Sequence, residues 1–267
     1  MPVDVTVLIC AHNEESYIQK SLEGILRQSI PPARIILVAD RCTDGTVAAS
    51  KSMLPRNSIV IEKRITLWKN SYAENLEIGR KNAVGEVLAI VDADILVPPS
   101  FLEKTSASCP EWASVSALVR TDPSQGLMNY LVSFWERSYL FTPFGREARG
   151  GARSISMRAL AGVAGFRDVI APDTDLDIRL KRYGEKVKMD TNLVALHLRR
   201  MSLMRSVFYQ IKAGEARSQL RVSPLRTLLH SIVRLRPFVL YGYLKSHVGK
   251  DKPRQLSNLW RERRLEQ

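Results

Sequence analysis

The sequence predicts an α/β fold: a mixed, mainly parallel sheet flanked by helices, with a basic helical extension at its C-terminal end. Three observations carry this. Short β-branched runs alternate with longer helical patterns over about the first hundred residues, the residues that follow each run are unusually polar, and the positive charge is concentrated in the tail.

The elements follow in order. Val5 to Cys10 reads as a buried strand, Glu14 to Gln28 as a helix, Arg34 to Ala39 as a strand and Thr43 to Met53 as a helix. Ser58 to Glu62, Asn70 to Asn82 and Glu86 to Val91 continue the alternation, which calls for parallel strands joined by crossover helices. Pro98-Pro99 opens another helix, Ser114 to Val119 is a strand, and Leu127 to Leu140 has apolar residues at helical spacing. The pair Gly150-Gly151 precedes a segment from Ala152 to Met157. A helix from Asp173 to Tyr183 stops at Gly184, as helices often do, and strand-like Lys186 to Met189 and Leu193 to His197 follow.

Composition bounds the function. The 267 residues are 45% hydrophobic and 25% charged, which is ordinary for a globular chain able to bury a core. Of the net +13, residues 199–267 carry nearly all, with 16 Lys+Arg against 4 Asp+Glu. The expected division is a catalytic domain over 1–198 and a basic helical extension over 199–267. Cys10, Cys42 and Cys109 show neither zinc-site spacing nor the density of a disulfide scaffold, and residues Met1 to Asp4 show no basic region or cleavage signal. A cytoplasmic location is expected.

Ligands of such sheets bind beyond the carboxyl ends of the strands. There the sequence places Ala11-His12-Asn13-Glu14, then Asp40-Arg41, then Asp92-Ala93-Asp94. No G-x-G-x-x-G follows the first strand and no G-K-[ST] loop is present, which argues against dinucleotide oxidoreductases and P-loop enzymes. Two carboxylates at i and i+2 on a strand end reach one divalent cation and the diphosphate beside it, and Mg²⁺ or Mn²⁺ suits such oxygen ligands. The same pair of acids also suits helix capping in a solvated turn.

These segments resemble family 2 glycosyltransferases of the GT-A fold. The likeness lies in Val7 to Glu15, in Ile35 to Thr46, in Ala89 to Asp94 with Pro98-Pro99 and Phe101-Leu102, and in Pro172 to Leu180, four motifs in order over residues 3–198. The chain departs from that family's common pattern at Ala39, often an acid there, and at Pro172, often Glu.

The resemblance implies an inverting transfer of a sugar from a nucleotide diphosphate-sugar, UDP or GDP, to an acceptor. It implies that Ala11, His12, Asn13 and Glu14, with Asp40 and Asp92, hold the nucleotide, that Asp94 binds Mn²⁺ or Mg²⁺, and that Asp173 is the general base. A carboxylate at Asp40 accepts from the ring N–H of uracil or guanine. His197 matches a histidine that some relatives use beside the metal. Each has a plainer alternative: Asp40 as a helix cap, Asp173 and Asp175 as acids at a helix start, and His197 as a structural histidine.

The tail leaves two partners open. From Leu225 to Leu244 apolar residues fall on one helical face, with Arg226, His230 and Arg234 on another. Pro237 and neighbouring arginines leave no run near the ~20 apolar residues needed to span a bilayer. An interfacial helix on an anionic membrane is expected, the alternative being a helix packed on the catalytic domain. The acceptor expected of such an enzyme is a hydroxyl on a lipid-linked or surface glycan, with a polyprenyl phosphate as the alternative. Two other readings compete. A nucleotidyltransferase also gathers acids around a nucleotide, and a nucleic-acid-binding protein would use the tail on phosphates; the near-neutral first 198 residues argue against nucleic acid.

Overall fold

The computed structural model describes residues 3–137 and 150–248. It divides into two compact units, residues 1–200 and 201–267.

The first unit is built on one eight-stranded sheet among the described residues, in the order β3-β2-β1-β4-β7-β6-β8-β5. β1 (Val5–Ala11), β2 (Arg34–Asp40), β3 (Ile59–Lys63) and β4 (Val87–Val91) are mutually parallel, as the alternation of strand and helix requires. β7 (Ala152–Ser156) runs antiparallel between β4 and β6 (Ser114–Thr121), which makes the sheet mixed. The two strand-like stretches after Gly184 are a single strand, β8 (Val187–His197). It pairs parallel with β6, and a register shift opposite Ala117 and Leu118 absorbs the polar residues between the two apolar stretches. The two-residue β5 (Ile95–Leu96) closes the edge against it.

Strand residues alternate between two helical layers because successive side chains point to opposite faces. Val5, Val7 and Ile9 pack with Ile18, Leu22 and Ile25 of α1 (Glu15–Leu26) and Phe101 of α4 (Phe101–Ser108). On the other face Leu8, Ile36 and Leu88 pack with Leu76 of α3 (Ser71–Asn82), Leu160 of α6 (Met157–Gly162) and Leu176 of α7 (Pro172–Arg182). Strands covered on both faces have no wet side, hence the nearly unbroken apolar runs of β1, β2 and β4. The remaining helices of this unit are α2 (Thr46–Lys51) and α5 (Leu127–Arg137); residues 138–140 of the predicted Leu127 to Leu140 helix lie outside the described residues.

α5 is amphipathic in an unusual sense. It buries Asn129 and Ser133 and leaves Leu127, Tyr130, Leu131 and Phe134 exposed.

The second unit holds α8 (Leu203–Gln219), α9 (Pro224–Val233) and α10 (Pro237–Val248). The stretch predicted as one helix from Leu225 to Leu244 is thus two. Leu235 turns left-handed (φ 49°), and Pro237 disfavours helical backbone at Arg236. α8 and α10 cross at Gly214 and Gly242, where a Cβ would come within 2.1 Å of the Val239 carbonyl oxygen and 2.2 Å of the Ile211 carbonyl oxygen. α9 repeats the inversion seen in α5: Thr227 and Ser231 are buried while Leu225, Leu229 and Ile232 are exposed. Residues 249–267, which hold part of the predicted basic extension, lie outside the described residues.

Candidate active site

The parallel strands end at a cavity of about 360 Å³ whose lining includes Ala11, His12, Glu14, Asp40, Asp92 and Asp94. Its walls are set by two turns with left-handed backbone, Asn13 (φ 55°) after β1 and Arg41 (φ 50°) after β2. Such conformations cost energy outside glycine and cluster at functional positions. They are held by contacts between the turns. Thr43 N donates to Asn13 Oδ1 (2.8 Å), and His12 Nδ1 donates to the Asp40 carbonyl (2.6 Å), which fixes the proton on that nitrogen. Asn13 therefore serves the turn with its side chain and is not part of the cavity lining.

Asp40 sits at the head of a dense polar cluster. Its carboxylate accepts from Arg41 Nε (2.8 Å), from Asn75 Nδ2 (3.2 Å) and from the Ser71 hydroxyl, and buried Lys63 lies 3.5 Å away. Burial pushes this carboxyl up, but the hydrogen bonds and the lysine hold it well below the usual carboxylate range. It is a fixed negative charge, with Arg41 as a half-exposed cation beside it.

Asp92 and Asp94 follow β4 and behave in opposite ways. Asp92 receives a hydrogen bond from the Tyr72 hydroxyl (3.1 Å). Burial, with the charges of Asp94 and Asp173 nearby, pushes it up to about 7. Asp94 is also raised by burial, yet His197 Nε2 at 3.2 Å and Arg199 Nε at 2.7 Å bring it down to about 2. Arg199 also pairs with Glu14.

These side chains fit a divalent cation as a partial ligand set. Asp94 supplies a carboxylate and His197 an imidazole on the same spot, and the buried Glu14 Oε2 finds no hydrogen-bond partner. Among the described residues no group of three His, Cys, Asp or Glu converges closely enough to hold a metal alone. The missing ligands would have to come from a substrate, as phosphate oxygens commonly do for Mg²⁺ and Mn²⁺.

Asp173 lies in the first turn of α7, behind Pro172. Its Oδ2 stands 2.1 Å from where a Cβ on Gly150 would be, and Asp92 Oδ2 stands 3.2 Å from the Cβ position of Gly151, itself left-handed (φ 90°). Two adjacent glycines thus carry the backbone between the two acids, where a Cβ at Gly150 would displace Asp173 and one at left-handed Gly151 would be strained. Burial raises the Asp173 carboxyl, and Arg153 pulls it back only in part.

Most of the predicted residues therefore meet at one edge of the sheet, with Asp173 joined to them through the glycine pair. Sequence reasoning missed Arg41, Ser71, Tyr72, Asn75, Arg153 and Arg199. Three of these had a signal. Arg199 follows His197 by two positions, and Ser71 and Asn75 are four apart on the helix that opens beside Asp40.

Comparison with known proteins gives the fold its family. The model for Glycosyl transferase family 2 matches residues 6–171. An uncharacterized glycosyltransferase of Haemophilus influenzae is 33% identical over 104 residues, which are 38% of this chain and 31% of that protein, so the chain spans under a third of that relative. Among solved structures, the mannosyltransferase PcManGT from Pyrobaculum calidifontis, in complex with GDP-Man and Mn²⁺, superposes with a TM-score of 0.65 at 20% identity over 99% of this chain and 81% of its own. Glucosyl-3-phosphoglycerate synthase from Mycobacterium tuberculosis, in complex with Mn²⁺, UDP and glucosyl-3-phosphoglycerate, gives 0.58 at 15% identity over 82% and 78%. TarS from S. aureus gives 0.55 at 16% over 94% and 73%. The likeness is one of fold, the GT-A fold expected from the sequence. The family match itself runs from β1 to the residue before α7, more than half of the chain, and by it the chain belongs to glycosyl transferase family 2.

Proposed function

We propose that this glycosyltransferase moves a sugar, with inversion, from a UDP- or GDP-sugar to a hydroxyl on a lipid-linked or surface glycan, with Asp173 as general base. The observation that carries the reading is the glycine pair: Gly150 faces Asp173 and Gly151 faces Asp92, so a base and the donor-side acids border one stretch of bare backbone. In the proposed step the acceptor O–H proton passes to Asp173, the oxygen bonds to the anomeric carbon, and the bond from that carbon to the diphosphate breaks with its electrons on the leaving group. A single displacement of this kind inverts the carbon. A bound Mn²⁺ or Mg²⁺ would neutralise charge on the leaving diphosphate. Asp94 and His197 would hold it, Asp92 would stand by the ribose, and Ala11, His12 and Glu14 would close the nucleotide pocket.

The test is a panel of UDP- and GDP-sugars incubated with Mn²⁺, with the anomer of the released or transferred sugar read by NMR. Turnover of one donor with inverted product is expected, and a retained anomer would remove the single-displacement step.

Donor choice is placed at Asp40 and Arg41. A fixed carboxylate beside a guanidinium matches an N–H flanked by a carbonyl, which uracil and guanine both offer and which adenine and cytosine do not. Asp40→Asn is the informative change, since it keeps the volume and one acceptor oxygen, both of which Asp40→Ala would remove beside buried Lys63. Its affinity for the preferred nucleotide is expected to fall by about tenfold or more, in line with loss of a charge-assisted hydrogen bond. Unchanged affinity and unchanged discrimination by calorimetry would put the base elsewhere.

We assign the acceptor to a membrane surface because α5 and α9 each turn apolar side chains outward while burying polar ones. Among the described residues no helix is long and apolar enough to cross a membrane. The part proposed is interfacial, peripheral on the cytoplasmic face, with exposed Arg226 of α9 beside its leucines. Truncation before Leu225 is expected to lower binding to phosphatidylglycerol vesicles and transfer to a lipid-linked acceptor while sparing donor hydrolysis. Equal vesicle binding by the truncated chain would remove α9 from the membrane role, and equal binding after Phe134→Ser in that chain would remove α5 as well.

A further inference from the structure

Arg153 is a charged residue with no exposure, the second residue of a strand whose other residues are Ala, Ser and Ile. A buried guanidinium is costly unless its charge is matched and its N–H groups are bonded. One edge is satisfied, since Nη2 donates to Asp177 Oδ1 at 2.5 Å and to Ser114 Oγ at 2.6 Å. The other two nitrogens, Nε and Nη1, find no hydrogen-bond partner, and neither does the buried Oδ1 of Asp173.

Arg153 makes its ion pair with Asp177 and no hydrogen bond with Asp173, yet the two carboxylates are closely linked. Asp173 and Asp177 are four residues apart in α7, so they share the helix face to which Arg153 is already bonded. We infer that Arg153 is a positioning residue for Asp173: bonded to Ser114 and to Asp177, one turn further along α7, it fixes that helix face and sets its charge beside the Asp173 carboxyl, leaving Oδ2 above Gly150 as the oxygen that takes the acceptor proton. This rests on Asp173 being the general base. The charges agree with the geometry, since Arg153 favours the ionised form of Asp173 against burial and Asp177. Asp92 after β4, Tyr72 of α3 and Cys10 of β1 also face this carboxyl electrostatically. A hydrophobic residue would serve the fold at least as well as a buried ion pair. The guanidinium is accounted for by what it does to Asp173.

The experiment uses the full chain labelled with carbon-13 at aspartate Cγ, with the Asp173 signal assigned by its loss in Asp173→Asn. Removing Arg153 alone strands Asp177, so the comparison is between Asp177→Leu and the double variant Arg153→Met/Asp177→Leu, in which both buried charges are gone. The Asp173 titration midpoint is expected to rise by about one pH unit or more in the double variant, tenfold in the proton equilibrium. Coincident midpoints would overturn the inference. Arg153→Lys keeps a charge without the planar fork. It should restore the midpoint but leave donor hydrolysis about a hundredfold slower, as misplacement of a reacting group does. Hydrolysis at the wild-type rate in Arg153→Lys, with Asp173→Asn inactive, would overturn the orienting role and leave the base in place. A midpoint shift with Asp173→Asn fully active would instead remove the base and keep the charge coupling between Arg153 and Asp173.

Discussion

Replacing Asp173 with Asn should lower the rate of transfer to a hydroxyl acceptor by about 10²–10⁴-fold, the usual contribution of a positioned general base. The change keeps size and shape, so donor affinity should move little and the loss should fall on kcat. The pH profile carries a second signature. Because the Asp173 carboxyl is raised above the ordinary range by burial, its ionised, proton-accepting form is lost as pH falls at a higher pH than for a solvated aspartate, and kcat/KM should decline on that acid limb. In Asp173→Asn the limb should vanish along with most of the activity. The acceptor decides the size of the effect. A phosphate acceptor is already ionised near neutral pH and needs little help, so a loss of less than about tenfold would point to a polyprenyl phosphate. Wild-type rates with a hydroxyl acceptor would remove Asp173 from the chemistry.

The second large effect is expected on removing the cation. Excess EDTA should abolish transfer, and Asp94→Ala should weaken joint binding of donor and Mn²⁺ by more than about a hundredfold, since even changes outside the ligand shell cost 10–100-fold in affinity. The partial ligand set predicts the order of binding. With Asp94 and His197 alone converging among the described residues, Mn²⁺ by itself should bind weakly and tighten when the diphosphate is present. Titration calorimetry with and without UDP or GDP checks this. Full activity in excess chelator would exclude a metal-dependent step.

The opening βα units were legible because the hydrophobic period itself changes from strand to helix, and because a polar residue after an apolar strand end marks the working edge of such a sheet. Asp40, Asp92 and Asp94 could be placed on that edge before any coordinates. What could not be read depends on pairing across the chain. Ala152 to Ser156 carries no mark of its direction, since an antiparallel strand inserted between buried neighbours is as apolar and small as a parallel one. The division of Lys186 to His197 into two strands followed its polar middle, which the sheet accommodates by a register shift. Arg153 and Arg199 were invisible as site residues for a related reason. An arginine's partner is set by long-range contacts, and Asp177 and Asp94 are 24 and 105 residues away in sequence. Pro237 was legible as an interruption, and the left-handed Leu235 before it was not.

The reversed strand in mid-sheet has a consequence for how the two substrates talk to one another. Because β7 starts where β4 ends, its first residues are delivered to the working edge, and one peptide bond links the glycine under the base to the glycine under the donor-side acid. On the proposed roles of Asp173 and Asp92, donor and acceptor chemistry are then mechanically in series. A tilt of that single peptide unit moves both floors at once, so changes on the two sides cannot be treated as independent, as they are for distant sites. On these proposed roles, substitutions at Gly150 and Gly151 should therefore couple, each altering both the donor side and the acceptor side, rather than add.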